Sequence, residues 1–168
     1  EMMNYIKKRK NEEMMGGTVR RGKRENKNLA RQAATYLRKS DGPRVAVFEV
    51  NGFDTHAAQG GVDGSHTKSL VEMDEIINNL KDNLQEAYKD TIILTVTEFG
   101  RTIKQNGGNG TEHGYGTAIF MAGGLLKKSQ VHTDWPGLKR KEMYQGRDLN
   151  ATIDARSVYA SAMSTVFD

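Results

Sequence analysis

Residues 70–97, LVEMDEIINNLKDNLQEAYKDTIILTVT, contain the two patterns from which the fold is predicted. In the first part, apolar side chains recur at helical spacing with Lys, Asp, Glu and Asn between them, which is typical of a helix with one buried face. Residues 91–97 (TIILTVT) are almost continuously apolar or β-branched, which favours a central strand buried on both faces. The order of the two patterns predicts a helix that leads directly into the middle of a sheet.

Further strands and helices are predicted on either side of this unit. Residues 44–50 (RVAVFEV) and 117–122 (TAIFMA) are short runs rich in apolar residues, which indicate strands. Apolar residues at helical spacing predict helices over residues 26–38 and 151–167, whereas residues 1–25 are predicted to be a helix, a glycine break, and then loop or disordered chain. Strand, helix, strand, loop and strand is α/β order, so we expect a mainly parallel sheet flanked by helices.

The composition is that of one globular domain. The 168 residues are 36% hydrophobic and 27% charged, and no apolar run reaches the roughly 18 residues that a membrane helix requires. There is no cysteine, which excludes disulfides and thiolate metal ligands. A transition metal would therefore have to be bound by His, Asp and Glu.

Positive charge is concentrated near the N-terminus. Residues 1–44 contain 13 Lys and Arg against 5 Asp and Glu, whereas residues 45–168 carry a net charge of −4 within the overall +4. A basic segment is a candidate contact for nucleic acid, but aromatic residues are not interleaved with it as they are in single-strand grooves. We interpret residues 1–41 as a basic helical segment with a solvated face, followed by a second region over residues 42–168.

Four residues with side chains suited to a metal ion fall next to the predicted strands. Asp54 and His56 follow the first strand, Glu98 ends the second, and His113 comes just before the third. In open α/β sheets, ligands bind beyond the carboxyl ends of strands, and His113 would reach that edge through the glycine-rich loop before it. Imidazoles and carboxylates are the ligands that Zn, Mn or Fe prefer. We therefore predict a divalent metal site, with Zn first and Mn or Fe as alternatives.

Each of these residues also has a purely structural interpretation. A single Asp-x-His tripeptide is a weak signal, Glu98 could form a salt bridge or lie beside a helix N-terminus, and His113 could simply be exposed in its loop. Arg101 follows Glu98 by three residues and is a candidate catalytic residue that holds an anionic substrate group through bidentate hydrogen bonds. Arg101 could instead neutralise Glu98.

Five segments together carry a family resemblance. They are GPRVAVFEVNGFDTHAAQGG (42–61), TVTEFGRT (95–102), NGTEHGYGTAIFMAGG (109–124), WPGL (135–138) and GRDLNATIDARSV (146–158). In this order they resemble the bacterial domain of unknown function 1501 (DUF1501) family, whose members belong to the alkaline phosphatase-like, sulfatase-like superfamily. Family members usually carry a twin-arginine export signal. The resemblance therefore implies a periplasmic or exported location, with the signal outside this chain.

The resemblance also implies roles for individual residues. The superfamily places metal ligands on loops at strand ends, and Asp54, His56, Glu98 and His113 match that pattern. Its usual Asp-His pair is replaced here by Glu98 and Phe99, and because Phe99 cannot bind a metal, one of two metal sites would be weakened or lost. The nucleophile is expected from an N-terminal strand without a counterpart in residues 1–41, which implies that this chain is the C-terminal part of a longer domain.

The predicted function is metal-dependent hydrolysis of phosphate or sulfate esters, with a small anionic ester as the substrate. Two alternatives stand beside it: a non-catalytic exported binding protein that retains the fold, and a basic binder of nucleic acid or anionic surfaces through residues 1–44. No membrane partner is predicted. An incomplete sheet would expose an edge strand, which favours association into homo-oligomers.

Overall fold

The computed structural model describes residues 23–167, which form three α-helices, one 3₁₀ helix and four two-residue strands. The prediction for residues 1–22 lies outside the described part of the chain. The helices are α1 (Lys23–Leu37), α2 (Ser65–Leu84), which continues as the 3₁₀ helix Gln85–Asp90, and α3 (Ala155–Phe167). The strands are β1 (Ile93–Leu94), β2 (Gly100–Arg101), β3 (His113–Gly114) and β4 (Met121–Ala122).

The hydrophobic core lies between α1 and α2. Ile76, Leu80 and Leu84 recur every four residues along α2 and are all buried, as one face of an amphipathic helix should be. They pack against Ala30 and Ala34 of α1, which are both 0% exposed. Alanine has a small side chain, so its presence at both contact positions allows the two helices to approach closely.

The three helices predicted within the described residues are confirmed. The periodicity over residues 26–38 corresponds to α1, the pattern starting at Leu70 to α2 with its 3₁₀ extension, and residues 151–167 to α3. Beside the core, the Asn26 amide donates to the Glu72 carboxylate at 2.8 Å and Lys27 pairs with Glu75 at 3.1 Å. Part of the predicted basic segment therefore packs directly on the region that follows it.

The predicted α/β fold with a mainly parallel sheet is wrong. The strands form two separate antiparallel pairs, β1 with β4 and β2 with β3. The runs at 91–97 and 117–122 pair with each other, but only over two residues each. At the next position Thr95 N–H donates to the Phe120 carbonyl at 3.0 Å, while Phe120 N–H turns to the Thr95 hydroxyl, also at 3.0 Å. The side chain thus replaces the backbone acceptor, and the ladder ends.

Residues 44–50, the predicted first strand, contain no strand in the structure. Phe48 and Val50 pack against the helical core, whereas Val45 and Val47 are exposed, Val47 to 88%. The alternation of apolar side chains therefore reflects one buried face of an extended segment. Such alternation indicates burial on one side and does not depend on a neighbouring strand, which is why it was misleading here.

Apolar surface remains exposed beside α2. A groove of about 300 Å³ lies between this helix and the β1–β4 pair, with Met73 and Ile77 on one side and Ile93 and Phe120 on the other. The groove includes none of the four predicted metal ligands. No helix within residues 23–167 is both long and apolar enough to cross a membrane.

Candidate metal centre

The β2–β3 pair brings distant parts of the chain together. Its register places Arg101 opposite His113, and the Thr102 N–H extends the pairing by donating to the Glu112 carbonyl at 3.0 Å. The glycine-rich loop between the two strands folds back and brings His113 to the predicted site. His113 consequently contacts Asp54, which lies 59 residues earlier in the sequence.

Backbone hydrogen bonds join the segment that carries Asp54 and His56 to the glycine-rich loop. Three such bonds of 2.8–3.1 Å run from Ala58 to Gly108, from Gln59 to Asn109 and from Thr111 to Thr55. Gly110 lies against the backbone of Thr55 and His56, and a Cβ atom at this position would collide with the His56 carbonyl. The absence of a side chain at Gly110 is therefore a condition for the two segments to meet.

Asp54, His56 and His113 form a triangle of potential metal ligands. Asp54 Oδ1 lies 3.0 Å from His56 Nε2 and 3.1 Å from His113 Nε2, and the two Nε2 atoms are 3.1 Å apart. Within residues 23–167 these residues form the one cluster of three or more such side chains close enough to share an ion. Tetrahedral zinc with ligands at about 2.0–2.1 Å separates neighbouring ligand atoms by about 3.3–3.4 Å, so the donors fit such an ion after a small outward shift.

Glu98, the fourth predicted ligand, does not join this triangle. Its carboxylate is exposed and accepts a 3.5 Å contact from the neighbouring Thr97 hydroxyl. Phe99 faces the cluster instead, and its ring stacks on that of His113 with centroids 4.0 Å apart and planes 28° apart. The backbone bends at Glu98, between Thr97 and Phe99. The structure therefore assembles three of the four predicted ligands.

Arg101, the predicted catalytic residue, lies against Asp54. Its guanidinium donates to Asp54 Oδ1 and to the Thr111 carbonyl, and its Nε donates to the Thr111 hydroxyl at 3.0 Å. Partial desolvation works to raise the pKa of Asp54, but hydrogen bonds from Arg101 and His113, with nearby positive charge, hold that pKa below its ordinary value. Asp54 is consequently anionic at neutral pH, as a metal-binding carboxylate must be.

Two residues that sequence reasoning did not assign to the site surround His56. Glu112 Oε2 lies 3.1 Å from His56 Nδ1, and Asn106 Nδ2 donates to the second oxygen of Glu112. The hydrogen bonds from Asn106 and from His56 hold the pKa of Glu112 below its ordinary value. The motif Asn-Gly-Gly-Asn-Gly at 106–110 predicts a turn organised by an asparagine side chain. It does not indicate which carboxylate that side chain will contact.

Comparison with known proteins gives one match. A family model described as "Protein of unknown function (DUF1501)" matches residues 6–165. No curated protein and no solved structure matches the chain. The match includes every residue of the metal-ligand triangle, together with Arg101, Asn106 and Glu112.

Proposed function

The chain belongs to the DUF1501 family, and we propose that it is a metal-dependent hydrolase of phosphate or sulfate esters. The triangle of Asp54, His56 and His113 donor atoms carries this proposal. Their side chains remain 63%, 42% and 51% exposed, respectively. Catalytic zinc sites use three protein ligands and keep a position open for water or substrate, whereas structural sites are closed by four. An exposed set of three ligands supports the catalytic alternative.

The charge of the site supports an anionic substrate. Asp54 and Glu112 are both held in the ionised form, and the Arg101 guanidinium contacts Asp54. With neutral imidazoles, which metal binding requires, these groups give a net charge of −1. A divalent ion would bring that net charge to +1. The site without an ion would therefore attract a cation, and the site with a bound ion would attract an anionic ester.

Three residues of the protein, Asp54, His113 and Arg101, would prepare the reaction around a bound ion. A divalent ion, when bound, supplies the charge that polarises an ester oxygen and makes water easier to deprotonate at neutral pH. Asp54 would provide a negatively charged ligand, and His113 a neutral nitrogen whose ring is fixed by stacking on Phe99. Arg101 would keep Asp54 ionised and would add positive charge next to the anionic group of the substrate. This is the catalytic role that we propose for Arg101.

Two finer points belong to this proposal. Membership of the alkaline phosphatase-like and sulfatase-like superfamily is supported by the order of the motifs that contain Asp54, Glu98 and His113. An exported or periplasmic location is supported by the same family resemblance. Zinc is the preferred metal because two imidazoles and one carboxylate are a common catalytic zinc set, and Mn or Fe are alternatives.

The test is hydrolysis of 4-nitrophenyl phosphate and 4-nitrophenyl sulfate with Zn²⁺ or Mn²⁺ added. We expect metal-dependent release of 4-nitrophenol that falls by more than about 100-fold in His113→Ala, because even residues around the ligands contribute about 10–100-fold. Glu98→Ala is the matched control, since this carboxylate lies outside the triangle. Metal binding without hydrolysis of either ester, also in a protein that carries the expected N-terminal nucleophile, would contradict the hydrolase and favour the non-catalytic exported binding protein.

A further inference from the structure

We propose that Glu112 is a positioning residue that fixes the tautomer and orientation of His56, and that Asn106 holds Glu112 in place for this purpose. The inference rests on the proposed metal site, which it deepens by adding residues that act through a ligand. Neither Glu112 nor Asn106 belongs to the triangle of donor atoms.

The two ring nitrogens of His56 face different partners. Nε2 points to Asp54 Oδ1 at 3.0 Å and to His113 Nε2 at 3.1 Å, whereas Nδ1 points to Glu112 Oε2 at 3.1 Å. An ionised carboxylate can only accept hydrogen bonds, so the contact with Glu112 requires the proton on Nδ1. The lone pair of Nε2 is then directed at the centre of the triangle. A metal ion needs that tautomer, and imidazole ligands commonly obtain it through a carboxylate on the other nitrogen.

Without Glu112, Asp54 would favour the opposite tautomer. Its Oδ1 lies 3.0 Å from His56 Nε2, so it is well placed to accept a hydrogen bond from a proton on that nitrogen. Two carboxylates therefore compete for one imidazole proton. Asp54 Oδ1 already accepts hydrogen bonds from Arg101 and from His113, which makes it a weaker acceptor for the His56 proton. Glu112 Oε2 is then the stronger acceptor of the two, and the His56 proton lies on Nδ1.

Asn106 connects the Glu112 carboxylate to the backbone of its partner. Its Nδ2 donates to Glu112 Oε1 at 2.5 Å and to the His56 carbonyl at 2.8 Å. Its Oδ1 accepts hydrogen bonds of 2.9 Å from the N–H groups of Gly108 and Gly110, which lie in the same loop. One amide side chain thus fixes the loop, the carboxylate and the segment that carries His56.

A contribution to folding stability alone is a poor explanation for the Glu112–His56 pair. The two side chains are 53% and 42% exposed, and ion pairs at such positions contribute little to the free energy of unfolding. Their contact would instead affect the proton position on His56 and, through it, metal affinity. Both quantities can be measured without an assay of hydrolysis.

The experiment measures the imidazole nitrogen shifts of His56 by long-range proton–nitrogen NMR on the metal-free, isotope-labelled chain. The measurement is made at about pH 8, above the ordinary imidazole pKa of roughly 6.5. In the unsubstituted chain we expect the proton on Nδ1. In Glu112→Ala the population with the proton on Nε2 should rise, and Glu112→Gln, which preserves size but removes the charge, should lie between them. Asn106→Ala should change the population in the same direction as Glu112→Ala, but less.

Calorimetric titration with Zn²⁺ on the same variants gives the second measurement. We expect Glu112→Ala to raise the Kd by about 10–100-fold, and the control Glu86→Gln, an exposed carboxylate on the 3₁₀ helix, to leave it unchanged. An unchanged His56 tautomer in Glu112→Ala and Glu112→Gln, or a changed tautomer with an unchanged Kd, would overturn the inference. A changed tautomer in a chain that binds no Zn²⁺ would support the Glu112 role and contradict the proposed metal site instead, so the two failures are distinguishable.

Discussion

The Nε2 atoms of His56 and His113 lie 3.1 Å apart, although the two residues are 57 positions apart in the sequence. Two imidazole nitrogens at this distance cannot both carry protons without repulsion, so at least one presents a lone pair. Each of them also lies within 3.1 Å of Asp54 Oδ1. A cation is the ligand that would satisfy all three donor atoms at the same time, which is why we place the function here.

Gly110→Ala should weaken Zn²⁺ binding by about 10–100-fold, the range for disturbed contacts around metal ligands. The added Cβ would collide with the His56 carbonyl and separate the two segments that form the site. Gly107→Ala is the matched control, because a Cβ there has nothing within 4 Å. Calorimetric titration of both variants checks the prediction. Equal affinities for the two would show that close approach at Gly110 does not position the ligands.

Phe99→Leu should weaken Zn²⁺ binding by about 2–10-fold, because a stacked aromatic pair contributes roughly 0.5–1.5 kcal/mol beyond burial. The lost contact is the stack that fixes the His113 ring. Tyr144→Leu removes a comparable stack, with Tyr115 at 3.9 Å, that involves no metal ligand, and should leave affinity unchanged. A larger effect of Tyr144→Leu than of Phe99→Leu on the Zn²⁺ Kd would contradict the proposed role of Phe99.

The helices could be predicted from the sequence because their signal is local. The apolar positions of α2 recur along one face regardless of what that face contacts. Strand pairing is not local, and residues 44–50 show that an alternating pattern can cover a helical core without forming a strand. The antiparallel pairing of β1 with β4 depends on hydrogen bonds between segments far apart in the chain.

The candidate site likewise contains residues that the sequence indicates and residues that only the folded chain brings together. Asp54 and His56 were identifiable from their spacing, and His113 from its glycine-rich loop. Glu98 lies outside the triangle and at a bend in the backbone, which its place after a predicted strand does not indicate. Glu112 and Asn106 emerge only when the loop is seen folded against His56, because their contacts join segments up to 56 positions apart.

Leu84→Ala should lower the free energy of unfolding by about 2–5 kcal/mol. Leu84 is 1% exposed at the end of α2 and packs in the core with Ala30 and Ala34 of α1, so truncation leaves a cavity. Val71→Ala on the same helix removes a side chain that is 48% exposed, and should change stability by less than about 1 kcal/mol. Urea unfolding of both variants checks this. Similar losses would mean that the core is not between α1 and α2.

Asp154→Asn should lower the melting temperature slightly at pH 6 and by less at pH 3, because exposed ion pairs contribute little to stability. Hydrogen bonds from the Arg156 side chain and N–H lower the Asp154 pKa from 3.8 to about 2. Because this folded-state pKa is below the ordinary value, the stabilisation is present above about pH 4 and is lost as the pH falls towards 2. Asparagine still caps α3, so the variant isolates the charge. Thermal unfolding at both pH values checks the prediction, and an equal loss at both would contradict it.

The most direct test of the central claim is the metal content of the purified chain after incubation with Zn²⁺, with the ion located by anomalous diffraction. The account predicts one zinc ion per chain, bound by Asp54, His56 and His113, present in Glu98→Ala and absent from His113→Ala. No bound zinc or manganese at excess metal, or zinc retained in full by His113→Ala, would contradict it.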